Sequence, residues 1–443
     1  MIRIAALISL TLSLALLLPS SAATAGAGED HWPQWRGPEG TGMAPGAAPT
    51  SWSDEENVKW KVAIPGRGFS TPIVWGERIY LTTAVPTSDP TEVEEEEEGD
   101  GRRGRRRQVH GEQAFTVMCL DRATGEVLWE QVANEAVPHE GYHRSYGSFA
   151  SISPVTDGKH LYVSFGSFGL YCYDLEGELV WKKDFGVQLQ MRNSFGEGAA
   201  PAIWGDTLVH LFDHEADSFI VAVDAKTGEE RWRAERDEPS SWAMPLIFER
   251  EGVVQVVATG TNRVRSYDLK TGKVLWECGG LGLNAIPVPL RHDDLVLAMS
   301  GYRGANLMAI QLGGEGDLTD SEAVLWNSPR GCAYTASPVL HEGKYYVVTD
   351  RGQISCFDAE TGEAHYLEER LPRGSALKAS PVGAGDVLYV ATESGAVHVV
   401  KLGPEYELVR TNELEDQFFV ASPVVADGEL LLRSQTHLFC IDE

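Results

Sequence analysis

Three observations predict an all-β protein, an eight-bladed β-propeller of four-stranded antiparallel blades whose ring is closed by an N-terminal strand. First, an apolar strand with proline near its start recurs at Pro72, Pro154, Pro201, Pro245, Pro287, Pro338, Pro381 and Pro423. The separations of 82, 47, 44, 42, 51, 43 and 42 residues define a unit of about 45, with an insertion in the first. Second, many units carry an Asp-x-x-Thr-Gly turn followed by a Trp-bearing strand. Third, the last unit ends at Glu443 after three strands, while Val58–Ile64 is a strand without a unit.

Each element has a physical reason. After the proline strand comes a second apolar strand, such as Arg78–Ala84 or Lys344–Asp350, and then a third, such as Thr116–Leu120 or Gln353–Phe357. The turn between strands three and four begins at Asp121, Asp224, Asp268 or Asp358, whose carboxylate can cap nearby backbone N–H groups. Gly125, Gly228, Gly272 and Gly362 supply the positive φ of a tight hairpin. Eight residues after the Asp stands Trp129, Trp232, Trp276 or Tyr366, an outer-strand ring wide enough to dock on the next unit. Trp60, Trp181 and Trp326 are expected to do the same. Pairing Val58–Ile64 with the last unit removes an open sheet edge. Seven blades plus a separate hairpin is the competing arrangement.

The charge balance, 37 Lys+Arg against 65 Asp+Glu for a net −28, excludes nucleic acid as a partner, because phosphate neutralisation needs clustered cations. Arg3, the apolar run Ile4–Leu18, Pro19 and the small residues Ser21–Ala25 read as a cleaved signal peptide over 1–25. The run is shorter than the ~20 residues of a membrane span. No cysteine follows it before Cys119, so no lipid-anchor motif is present. A periplasmic or secreted, monomeric protein is expected, with an N-terminal extension over 26–57 and the propeller over 58–443. Within the first unit, 91–107 runs seven acidic residues into five arginines and reads as a disordered charged insertion.

Cys119, Cys172, Cys356 and Cys440 each stand two residues before an Asp. One per blade, they are too far apart for the roughly 7 Å Cα separation of a disulfide and read as buried thiols. Cys278 and Cys332 fall outside this pattern, and their pairing stays open.

The Asp-x-x-Thr-Gly-x-x-x-Trp turns, the Ser-Pro-Val strand starts and the eightfold count resemble the pyrroloquinoline-quinone-repeat (quinoprotein-like) β-propellers, over about residues 58–443. Trp32-Pro-Gln-Trp-Arg-Gly-Pro-Glu-Gly-Thr-Gly42 is similar to the start of secreted propellers of this type that lack a catalytic assignment. The resemblance implies one of two classes. One is a BamB-like, non-catalytic binding or scaffold protein that needs no cofactor and engages an envelope protein or peptide, or a surface polymer. The other is a dehydrogenase that holds PQQ and calcium in its funnel. The resemblance implies a vicinal Cys-Cys disulfide for that class, and no two cysteines are adjacent here. The non-catalytic class is therefore favoured, and a carbohydrate-binding or lyase propeller is a further alternative.

In a propeller the loops into the first strand and those between strands two and three meet on one face. They bring Arg67, His139, His143, Arg144, Arg192, Asn193, His214, Trp242, Arg263, Arg303, Arg330, Tyr334, Arg351 and Lys378 to that face as candidate ligand contacts. A basic funnel in an acidic body would focus an anionic ligand. The favoured reading is that these arginines neutralise nearby Asp and Glu. No catalytic residue and no metal site is expected. His210 and His214 are four apart on a strand, about 13 Å, too far to share an ion without a bend.

Overall fold

The computed structural model describes residues 31–90 and 110–443, so the leader (1–25) and the charged insertion (91–107) lie outside the described residues. Eight sheets of four or five strands form the blades. The first strands of neighbouring blades touch one another and ring the axis, and the fourth strands are outermost. The eighth blade pairs Val58–Ala63 with His437–Ile441, Trp60 facing Cys440, so the N-terminal strand closes the ring. No described helix is long and apolar enough to cross a membrane.

The turn chemistry holds the blades to each other. The Trp129 indole lies on Gly177 of the second blade and donates to the Leu175 carbonyl at 3.2 Å. Trp60 does the same to Gly125 and Arg122, Trp181 to Gly228 and Ala225, Trp232 to Gly272 and Leu269, and Trp326 to Gly362 and Ala359. In each case the acceptor is the residue after the turn Asp, so the Asp that caps the turn also fixes the carbonyl that receives the indole. Trp276 differs. The fifth blade has no Thr-Gly turn, and the extra residues of that 51-residue unit instead add Gly316–Asp317 as a parallel strand beside Trp276. Trp276 is buried between the fourth and fifth blades, and its N–H goes to Gln255 Oε1 of its own blade at 3.2 Å.

All six cysteines are free. Cys119, Cys172, Cys356 and Cys440 are buried core residues, and burial pushes the first three thiols up to about 12. Cys278 is buried and Cys332 half-buried, also unpaired.

The extension that precedes the propeller is part of its centre. His31–Trp32 pairs with the first strand of blade one. Pro33 then accepts from Thr156 of blade two at 3.0 Å. The chain turns at Trp35–Gly42 and returns along blades six and seven, where Leu340 donates to Thr41 at 3.1 Å and Gly383 to Gly42 at 2.9 Å. A hairpin thus fills one side of the axial channel. Its return arm then leads to Trp52, buried against Tyr389 of blade seven, where the outer strand carries no Trp of its own.

A belt of hydroxyls rings the top of the first strands. Val288 donates to Ser337 Oγ at 3.1 Å, Ser337 to Ser380 Oγ at 2.8 Å, Ser380 to Ser422 Oγ at 3.2 Å, Ser422 to Thr71 Oγ1 at 3.0 Å and Thr71 to Ser153 Oγ at 2.9 Å. These five acceptors are the residues immediately before the strand prolines. In blades three, four and five that position is Ala200, Met244 and Ile286, and the belt opens there.

Candidate functional site

The loops leading into the first strands surround a funnel of about 180 Å³ on the axis. Its floor is Trp35, the tip of the N-terminal hairpin, whose indole N–H donates to Ser422 Oγ of the belt at 3.2 Å. Phe69, Tyr146, Phe195, Trp242 and Tyr334 form an aromatic wall, with Ala200 and Ile286 at the gap in the belt.

The polar ends of Trp242 and Tyr334 are already engaged. Trp242 donates to the Gly196 carbonyl at 2.7 Å. Tyr334 accepts from Asn284 Nδ2 at 3.1 Å and stacks on Tyr302 with centroids 5.0 Å apart. Tyr146 is stacked by His143 at 3.4 Å, with Lys378 Nζ 4.8 Å over its ring. What faces the cavity is therefore mostly ring surface.

Two charged side chains line the funnel. Lys378 is held by Asp350 Oδ2 at 2.7 Å, with Glu393 at 3.9 Å. Glu197 accepts from the Ser167 hydroxyl and the Ser167 N–H, both at 2.7 Å. Burial nevertheless raises its carboxyl to about 7, the Ser167 bonds working in the opposite direction. Burial, with a smaller contribution from Lys378, lowers the His143 imidazole.

Beneath the funnel lies a buried cation. Arg36, fully buried, donates from Nη2 to the Pro338 carbonyl at 2.8 Å and the Pro381 carbonyl at 3.0 Å. Arg433 similarly donates to Ser70 O and Thr82 O, both at 2.7 Å. Among the described residues neither has a carboxylate partner, and desolvation lowers each guanidinium to about 9. Both remain cations at neutral pH, solvated by backbone carbonyls.

Of the fourteen candidates from the sequence, Trp242, Tyr334 and Lys378 line the funnel. The arginines do not form a basic funnel, and three of them are paired with acids. Arg192 is paired with Glu215 at 3.3 Å, Arg263 with Asp317 at 3.0 Å and Arg330 with Glu368 at 2.6 Å. Arg67 reaches the carbonyls of Gly147, Arg144 and Ser145, Arg303 lies over Tyr302, and Arg144 and Arg351 are exposed. The imidazoles serve as local clamps. His139 bonds the Leu189 carbonyl at 2.8 Å, while buried His214 accepts from Gln190 N–H at 3.2 Å and meets the Asp217 carbonyl at 3.1 Å. Asn193 sits at φ 54° in the turn after Met191. His210 is buried against Ser164, and its imidazole is pushed down to about 3.

Sequence reasoning missed Trp35, Glu197 and Arg36. The first and last lie in the Trp-Pro-Gln-Trp-Arg-Gly segment, whose similarity to other propeller starts was the available signal. It also missed a buried pair, Arg236 on Asp213 at 2.7 and 3.0 Å, joined by the Tyr267 hydroxyl at 2.8 Å.

Comparison with known proteins agrees with this architecture. The chain is similar in structure to BamB from Moraxella catarrhalis, at 15% identity and TM-score 0.53, covering 74% of this chain and 88% of that one. It is also similar to the quinohemoprotein alcohol dehydrogenase of Comamonas testosteroni, at 11% identity and TM-score 0.59, covering 93% and 80%. A europium-containing methanol dehydrogenase gives 11% identity and TM-score 0.59, covering 93% and 98%. At these identities the likeness concerns the fold alone. No curated protein matches the sequence. The family model described as outer membrane protein assembly factor BamB matches residues 113–365 and 316–402, and the chain belongs to that family of PQQ-repeat β-propellers.

Proposed function

We propose that this chain is a non-catalytic, monomeric binding propeller of the cell envelope, exported by its leader, that engages an apolar or aromatic segment of a partner protein in its axial funnel. The observation that carries this reading is the aromatic wall over Trp35, in which the Trp35 and Trp242 N–H groups donate within the protein and the Tyr334 hydroxyl accepts from Asn284. Such a surface gains from desolvating ring faces, the chemistry of interface anchors. The family description as an outer-membrane assembly factor supports an envelope protein as the partner.

The residues do not fit PQQ with calcium. The quinone carries carboxylates, and the cation that lines this cavity, Lys378, is held by Asp350. Calcium takes six to eight oxygen ligands, commonly with several carboxylates, whereas the cavity lining offers one carboxylate, Glu197. Among the described residues one cluster has metal-ligand spacing, His292, Asp293 and Glu360, and it is away from the funnel lining.

Titration of the purified protein with the quinone and Ca²⁺, followed by dye-linked oxidation of alcohols and sugars, tests this reading. The expected result is no stoichiometric uptake and no turnover. Uptake of one equivalent with turnover overturns it.

A further inference from the structure

The other end of the channel holds a second cavity, about 500 Å³, between the N-terminal hairpin and the first strands of blades three, four and five. We propose that this groove is a docking site for an extended segment of a partner protein that alternates apolar with basic side chains, pairing by its backbone with the inner strands of blades three and four.

The chain's own hairpin shows how such a segment binds. In blades two, six and seven the N–H two residues after the strand proline points into the channel and bonds the hairpin, as Thr156 to Pro33, Leu340 to Thr41 and Gly383 to Gly42. In blade one the corresponding Val74 faces Trp32. The equivalent residues of blades three and four are Ile203 and Ile247.

The strand registers place their backbone groups in the same way. Trp204–Thr207 and Arg250–Val253 close two-residue turns. Ile203–Leu208 and Ile247–Val256 are therefore non-hydrogen-bonded pairs, whose N–H and C=O groups point away from each other. Those of Ile203 and Ile247 face the groove, and the hairpin gives them no backbone partner among the described residues. Blade five carries Pro289 at the same position, with no N–H to leave open.

The walls and rim define the occupant. Trp204, Met244, Leu246, Phe248 and Leu290 present apolar surface along the groove. Glu39, Glu249 and Asp293 are exposed at its lining. The cation there, Arg291, is turned to the Asp293 carbonyl at 2.7 Å and the Glu249 carbonyl at 3.0 Å, with its guanidinium over Phe248. Three acidic groups around an apolar trough with open strand edges match β-strand addition by a segment that alternates apolar and cationic residues.

The test uses a fluorescein-labelled octapeptide alternating valine and lysine, titrated with the purified protein and followed by anisotropy. Saturable binding is expected, weakened tenfold or more by backbone N-methylation of the peptide. Ile203→Pro with Ile247→Pro copies blade five and should weaken binding to the same extent, measured at a temperature where circular dichroism shows both proteins folded, since the two side chains also pack on the core. Glu39→Lys with Glu249→Lys should weaken it most at low salt. Absence of saturable binding overturns the proposal. So does binding indifferent to N-methylation and to the acidic-rim changes, and so does binding abolished by Trp242→Ala, which belongs to the funnel at the opposite end.

Discussion

Arg36 of the N-terminal hairpin donates through Nη2 to the main-chain carbonyl of Pro381 at 3.0 Å, tying the plug of the channel to the strand-start proline of blade seven. The same nitrogen reaches Pro338 of blade six at 2.8 Å. Proline at a strand start therefore has two roles here. It fixes φ where the chain turns inward, and its carbonyl solvates a buried cation. Removing the guanidinium leaves two inward carbonyls unsatisfied and opens a cavity. Arg36→Ala is expected to lose about 2–4 kcal/mol of stability, measured by urea denaturation. A loss within experimental error would show that the hairpin is not anchored there.

Blade docking makes a separate prediction. A Cβ at Gly177, φ 93°, would stand 2.7 Å from Trp129 Cδ2, whereas Gly205, φ 58°, has open space around it. Both positions strain an alanine backbone, by roughly 1 kcal/mol. Gly177→Ala must also displace an indole, so it is expected to cost about 2–4 kcal/mol against about 1 for Gly205→Ala. Trp129→Ala should cost about as much as Gly177→Ala. Equal effects at the two glycines in thermal denaturation would contradict the docking role of the indole.

Glu197 gives the funnel a pH dependence. Its folded value, about 7, lies above the 4.5 of a free carboxyl, so the folded state holds the proton more tightly. Its contribution to stability is then fully present below about pH 4.5, falls as pH rises toward 7 and levels off above that. Glu197→Gln removes this slope and should raise the thermal midpoint at pH 8 relative to pH 5, compared with the parent chain. An identical pH profile for the two proteins would mean that Glu197 is not desolvated.

The ring was legible because its punctuation is dictated by backbone geometry. Gly125, Gly228, Gly272 and Gly362 occupy positive-φ turns, and an indole over each turn carbonyl leaves a repeating Trp. Closure by Val58–Ala63 followed from counting strands. The plug was not legible. Residues 31–50 form two short strands and bends, without the period of two that marks a blade strand, and Arg36 is a residue type that composition places on the surface.

The funnel was legible in part for a similar reason. Loop topology places Trp242, Tyr334 and Lys378 at the axis. The direction of each arginine depended on acids supplied by other loops, Glu215 for Arg192, Asp317 for Arg263 and Glu368 for Arg330. Those partners are 23, 54 and 38 residues away along the chain, beyond what local spacing specifies. The hydroxyl belt stood in plain view as Ser or Thr before proline, but its acceptor role requires knowing that adjacent blades meet at that level.

Engagement of a partner protein by the aromatic funnel over Trp35, as proposed above, is open to a direct physical readout. Site-specific photo-crosslinking in the producing cells tests it most directly, with p-benzoylphenylalanine placed at Trp242 in the funnel or at Leu179, which is 50% exposed on an outer strand. One dominant protein adduct is expected from position 242, none of it from position 179, and it should be lost when Trp35→Ala is added. The same adducts from both positions, or no protein adduct from position 242, would contradict it.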